Sequence, residues 1–302
     1  MSLASLGTPA PVARQGSQPM APAAAPLPHE RRDAVLRRHA VSVRGSGPRT
    51  LLFAHGFGCD QTLWREVAPA FEADHRVVLF DHVGAGGSDS AAYGARHAAL
   101  GGYAEDLLEL CQALALERVC FVGHSVSTMM GLLAGITSPH VFERQIWIAP
   151  SPCFVDHPPD YHGGFALAEI AGLVELIERN ELRWPEFLAP MVMQNAERPE
   201  LADELHRSFC RMAPGVAREF ARISFMSDHR ALLPLLQQPT LVLQCSADPL
   251  APPSVGEYLE RKLPRGRQRR LDAAGHCPHV SHPREVIAAI TAELALWRAE
   301  DA

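Results

Sequence analysis

Short apolar runs alternate along the chain with stretches whose apolar positions recur every three or four residues. The runs fall at 41–43, 50–54, 76–80, 118–122, 145–149 and 240–244, and most are almost continuously apolar. Strands covered on both faces read this way. A further strand is expected at 268–271. Between the runs lie helical patterns at 103–116, where Leu107, Leu110 and Leu114 share a face, at 126–136, and at 283–297. Strand and helix in alternation predict an α/β fold with a mostly parallel sheet.

Residues 151–228 break the alternation. They offer no convincing strand and four helical stretches, at 165–179, 185–193, 199–211 and 214–225. Pro185, Pro199 and Pro214 each sit where a first-turn proline is tolerated. The apolar faces (Ile170, Val174, Ile177; Leu201, Leu205, Phe209; Val216, Phe220, Ile223) have the spacing of plain core. A helical insertion between two parallel strands lies at their C-terminal edge, where ligands bind. The segment is therefore expected to cap a pocket, with 36–150 and 229–302 forming the core. Residues 1–35 are rich in Ala and Pro, as in the run from Pro19 to Pro28, and are expected to be a disordered tail.

Composition narrows the function. The 302 residues carry 28 Lys and Arg against 34 Asp and Glu, a net charge of −6. No basic stripe is present to neutralise a phosphate backbone, which argues against nucleic acid as partner. No apolar run approaches the ~20 residues of a membrane span. The seven cysteines are odd in number and form no CxxC. They read as buried, reduced thiols in a cytoplasmic protein.

The sharpest motif is Gly123-His124-Ser125-Val126-Ser127, placed after a strand and at the start of a helix. That context turns G-x-S-x-G into a tight elbow holding the serine hydroxyl above the sheet. A serine needs a base, and the expected chain order is Ser, acid, His. Asp248 follows the strand at 240–244, and His276 follows that at 268–271. Asp272 lies in the wrong loop, and Asp156 and Asp160 lie at the start of the cap. The backbone N–H of Val126 and that of Phe57, in His55-Gly56-Phe57-Gly58, are the candidate oxyanion donors. Phe57, Phe154, Phe165, Trp184 and Phe187 are expected to wall the pocket. His276, His279 and His282 recur around Cys277, but Pro278 and Pro283 interrupt a helix there. No metal and no cofactor is expected. The glycine-rich loop at 81–88 has neither phosphate-loop spacing and reads as support for the elbow.

These segments resemble the α/β-hydrolase superfamily. Pro150-Ser151-Pro152-Cys153, the 158–165 stretch (PPDYHGGF), Ser227-Asp228-His229-Arg230 and His276-Cys277-Pro278-His279 resemble, more narrowly, the RsbQ-type stress-response regulators of bacteria. Those are relatives of the strigolactone and karrikin receptors. The resemblance spans about residues 36–298 and implies a Ser125–Asp248–His276 triad under a four-helix cap. It also implies a closed apolar cavity for a small hydrophobic ester or lactone, and a sensor phosphatase or kinase as partner. Ser127 replaces the usual glycine, Val83 stands where many hydrolases carry arginine, and His162 stands where an aromatic is usual. Three functions follow: a slow hydrolase coupled to stress signalling, a ligand-binding regulator with little turnover, or a metabolic carboxylesterase.

Overall fold

A seven-stranded sheet organises the computed structural model, which describes residues 27–179 and 183–300. The strands are β1 (Ser42–Arg44), β2 (Arg49–Ala54), β3 (His75–Leu79), β4 (Val119–His124), β5 (Phe142–Ile148), β6 (Thr240–Ala247) and β7 (Gly266–Ala274). Their spatial order is β1-β3-β2-β4-β5-β6-β7; β1 runs antiparallel to β3 and every other pairing is parallel. The helices, in chain order, are α1 (His29–Arg38), α2 (Leu100–Ala113), α3 (Val126–Thr137), α4 (Leu167–Arg179), α5 (Trp184–Met193), α6 (Pro199–Cys210), α7 (Pro214–Phe225), α8 (Pro253–Lys262), α9 (Pro278–Ser281) and α10 (Pro283–Glu300).

The near-continuous apolar runs are explained by cover on both faces. Leu51 and Phe53 point into one core layer with Trp64, Ile290 and Trp297. Leu52 and Ala54 point into the other, with Leu107, Met129 and the inner faces of α4–α7. Alternate residues of a strand face opposite sides, so both sets must be apolar.

The order also places the site. From β2 the chain moves outward to β3, whereas β4 pairs with β2 on its other side, with Ala54 opposite Gly123. The loops after β2 and β4 thus leave the sheet side by side, at the crevice where open α/β sheets bind ligands. Helices α4–α7 lie between β5 and β6 in sequence, and α5, α6 and α7 line the cavity at that crevice.

One boundary differs from expectation. Residues 1–26 of the expected tail lie outside the described residues, but 29–38 form α1. Val35 is fully buried, α1 packs on α2, and Arg38 reaches Glu109 at 3.0 Å. The Ala/Pro bias ends at Pro28, and the following His-Glu-Arg-Arg stretch favours a helix. The segment 151–228 also carries isolated bridges, Val155 with Phe165 and His157 with Tyr161.

Candidate active site

Ser125 sits at the turn between β4 and α3 with φ 53° and ψ −124°, outside the regions L-residues favour. Strain of this kind persists only where its surroundings enforce it. Ser125 N–H donates to the Ile148 carbonyl at 2.9 Å, and the Ser125 carbonyl accepts from Thr128 N–H at 3.0 Å and Thr128 Oγ1 at 2.6 Å. Gly123 is required here, because a Cβ would lie 2.6 Å from the Phe121 ring and 3.2 Å from the Ser127 backbone.

The hydroxyl meets the other two expected residues. Ser125 Oγ lies 2.7 Å from His276 Nε2, and His276 Nδ1 lies 2.8 Å from Asp248 Oδ2 and 3.0 Å from Oδ1. Asp248 Oδ1 also accepts from the N–H groups of Leu250 and Ala251, at 2.9 and 3.1 Å. The carboxylate is thus fixed by its own turn, and the imidazole is fixed by the carboxylate. The rivals lie elsewhere. Asp272 and Asp160 are exposed, and Asp156 is spent on Gly164 N–H and His162.

The loop after β2 closes the other side. A Cβ on Gly56 would fall 2.5 Å from His124 Nδ1 and 3.3 Å from Ser125 Cβ, so this backbone runs directly against the elbow. Phe57 and Val126 line the same cavity as Ser125. Ser127 ties the loops together: its hydroxyl donates to the His55 carbonyl and accepts from His82 Nε2 at 2.7 Å. Burial holds the His82 pKa well below its ordinary value, so the ring is neutral. This is the work done by the residue that replaces glycine. Asp81 braces the glycine-rich loop by accepting from Gly87 N–H and Gln61 N–H, both at 2.8 Å.

The cavity above Ser125 is overwhelmingly apolar. Phe57, Phe154, Phe209, Phe225, Leu188 and Val192 form much of its wall, with Ser125 and His276 at its floor. The gaps among the lining side chains sum to about 410 Å³, but little of that is continuous open space. That leaves room for about one water between the facing side chains.

Two of the five expected wall aromatics, Phe57 and Phe154, line the cavity. Trp184 is buried one layer back, its ring 5.7 Å from Phe57 and 4.9 Å from Phe209. Phe165 is only half-buried and bonds through its backbone to the 154–156 stretch. Phe187 is 56% exposed. On α5 the stripe Trp184, Leu188, Val192 turns inward, which leaves Phe187 and Met191 on the outer side. Phe209 and Phe225, read from the sequence as core or not singled out, are wall residues instead. A Cβ on Gly58 would strike the Phe209 ring at 2.2 Å, so that glycine admits the ring.

The three histidines around Cys277 part company in the structure. His276 joins Ser125. His279 is wholly buried, its ring tilted against Trp64 at 4.4 Å and His124 at 4.3 Å, and His282 bonds Ser281 at 2.8 Å. They do not converge on a common point. His124 Nε2–H donates to the His276 carbonyl at 2.9 Å, and burial keeps its ring neutral. Cys59 and Cys277 also line the cavity, and the interaction between the two thiols holds Cys59 down, at about 6, and pushes Cys277 well up.

Residues 51–289 match the profile of the alpha/beta hydrolase family. The chain is 36% identical over 251 residues to a strigolactone esterase of Pisum sativum, covering 82% of this chain and 94% of that one. It is 34% identical to a karrikin insensitive 2 receptor of Petunia hybrida, covering 82% and 93%. Among solved structures, a hydrolase from Oleispira antarctica superposes with a TM-score of 0.85 at 37% identity, covering 87% of this chain and 97% of the other.

Proposed function

The chain belongs to the alpha/beta hydrolase family, and on that premise we propose that it is a serine hydrolase of a small hydrophobic ester or lactone. The observation that carries the reading is the line from Ser125 Oγ through His276 to Asp248, whose open end meets an apolar cavity. In this mechanism Ser125 Oγ attacks the substrate carbonyl carbon while His276 Nε2 takes its proton. Asp248 stabilises the resulting imidazolium. The N–H groups of Phe57 and Val126 bind the oxyanion. His276 then protonates the leaving oxygen, which departs as an alcohol or, from a lactone, stays tethered to the acyl group. Water, deprotonated by His276, releases the acid and restores Ser125.

A second reading is favoured by the narrow cavity: ligand binding is the output and turnover is slow. The likeness to RsbQ-type regulators supports coupling of this slow hydrolysis to a stress-signalling partner, a sensor phosphatase or kinase. Relatives named as receptors support a small-molecule ligand. Seven free thiols fit a cytoplasmic setting. Walls that must part for each substrate and product often limit turnover. Steady-state hydrolysis of an aryl acetate tests both readings. Turnover below the ~10 s⁻¹ enzyme median is expected, with a loss of about 10³-fold or more in Ser125→Ala. Turnover above about 100 s⁻¹ on varied esters favours the metabolic carboxylesterase, and undiminished hydrolysis by Ser125→Ala rejects the mechanism.

A further inference from the structure

A second group of reactive side chains lies where the helical segment leaves and rejoins the sheet. Cys153 and His157 come from the stretch after β5, and Asp228 from the stretch before β6. One ligand atom from each lies within 4.8 Å of the other two. Cys153 Sγ is 3.7 Å from His157 Nε2, and His157 Nε2 is 4.0 Å from Asp228 Oδ2.

Two chemistries could use a cysteine, a histidine and an aspartate. In a nucleophilic relay the base must receive the thiol proton on one ring nitrogen and be oriented through the other. Here the thiol and the carboxylate both approach the same nitrogen, Nε2, so no relay is possible. Three donor atoms facing one shared space instead suit a cation. Tetrahedral zinc, with bonds of ~2.3 Å to sulfur and ~2.0 Å to nitrogen or oxygen, holds such atoms roughly 3.5 Å apart. The separations of 3.7 and 4.0 Å are close to that spacing, and the thiol and carboxylate lie within 4.8 Å of each other.

We propose that Cys153, His157 and Asp228 form a zinc-type divalent cation site that clamps the two ends of the helical segment together. The supporting contacts are in place. The Cys153 carbonyl accepts from Ser151 Oγ at 2.9 Å and from the Tyr161 hydroxyl. His157 is held by paired backbone bonds to Tyr161, at 2.9 and 3.1 Å, and His229 N–H donates to the Pro152 carbonyl at 2.8 Å. Arg230 forks onto Asp228, Nε to Oδ1 at 2.9 Å and a terminal nitrogen to Oδ2 at 2.6 Å, which orients the carboxylate. Partners of this kind around a metal ligand tune its affinity. The side chains of His157 and Asp228 are 46% and 41% exposed, so an ion has access and a water can take the fourth position. The thiol and imidazole select zinc over magnesium or calcium. Binding forms a Zn–S bond and releases the Cys153 thiol proton to solvent, with no redox step. The site is independent of the ester chemistry.

The test is zinc titration of the reduced, chelator-stripped full chain in competition with a chromophoric chelator, followed by cobalt substitution. One zinc per chain is expected, unaffected by magnesium. Affinity should fall at least tenfold in Cys153→Ser and in His157→Asn, and hold in Cys210→Ser, which removes the exposed thiol beside His206. The cobalt form should show a thiolate charge-transfer band that Cys153→Ser abolishes. Zinc should raise the melting midpoint of the wild type by mass action and not that of His157→Asn, whose side chain is half-exposed. Zinc affinity unchanged in both Cys153→Ser and His157→Asn, a loss that follows Cys210 instead, or no binding tighter than millimolar would overturn the proposal.

Discussion

At the scale of single residues, the site depends on hydrogen bonds that fix direction rather than on unusual side chains. Asp248 is held by two backbone N–H groups before it meets His276. Asp248→Asn keeps the size and much of this turn but favours the wrong imidazole tautomer. It should lower kcat by about 10⁴-fold, with the folded far-UV spectrum retained. Equal activity in Asp248→Asn and wild type, measured on one aryl ester, would place the acid elsewhere. Ser125, Asp248 and His276 were legible in the sequence because each closes a strand in the chain order that an elbow demands. Ser127 was legible only as a departure from glycine; its bonds to His55 and His82 need three loops in space.

At the scale of elements, the sheet was readable and the helices over it were readable only in outline. Strand positions followed from runs buried on both faces, and α5–α7 from their prolines and spacing. Which face of α5 meets the cavity depends on where α6 and the loop after β2 lie, and no periodicity encodes that. Hence Phe187 points outward while Phe209 walls the cavity. Similarly, α1 was hidden by its neighbourhood of Ala and Pro, since a helix with one fully buried residue carries little pattern of its own. The two tryptophan and phenylalanine positions on α5 make a paired prediction. Phe187→Ala should leave ester hydrolysis unchanged and stability within about 0.5 kcal/mol, as at ordinary surface sites. Trp184→Ala removes the ring behind Phe57 and Phe209 and should destabilise by about 3 kcal/mol or more. Urea unfolding of both variants checks this; the reverse ranking would show that the phase of α5 is wrong. The same helices touch both halves of the site: Ser208 on α6 donates to the Gly58 carbonyl at 2.8 Å, and His276 N–H donates to Val192 on α5 at 2.8 Å. Both helices are therefore tied to the loops that carry Phe57 and His276.

At the scale of the molecule, buried histidines set the response to acid. Desolvation lowers the pKa of His39, His55, His82, His124 and His279 below the ordinary 6.5. Below about pH 6.5 the unfolded chain binds protons at these positions while the native chain does not, so stability falls as pH falls. Each such group contributes about 1.4 kcal/mol per pH unit until its native pKa is reached. Urea midpoints should hold steady near pH 7.5 and drop steeply between pH 6.5 and 5.5; a flat profile across that range would show that these rings are not kept neutral by the fold. The architecture brings one hydroxyl against an imidazole and a carboxylate beneath an apolar cavity. The most direct test of that claim is the intact and peptide mass of the protein after exposure to a fluorophosphonate, which phosphonylates an activated serine. The account predicts a single adduct on Ser125 and none on the Ser125→Ala protein. Failure of the wild type to react, or a lone adduct on Cys59 or on another serine, would contradict it.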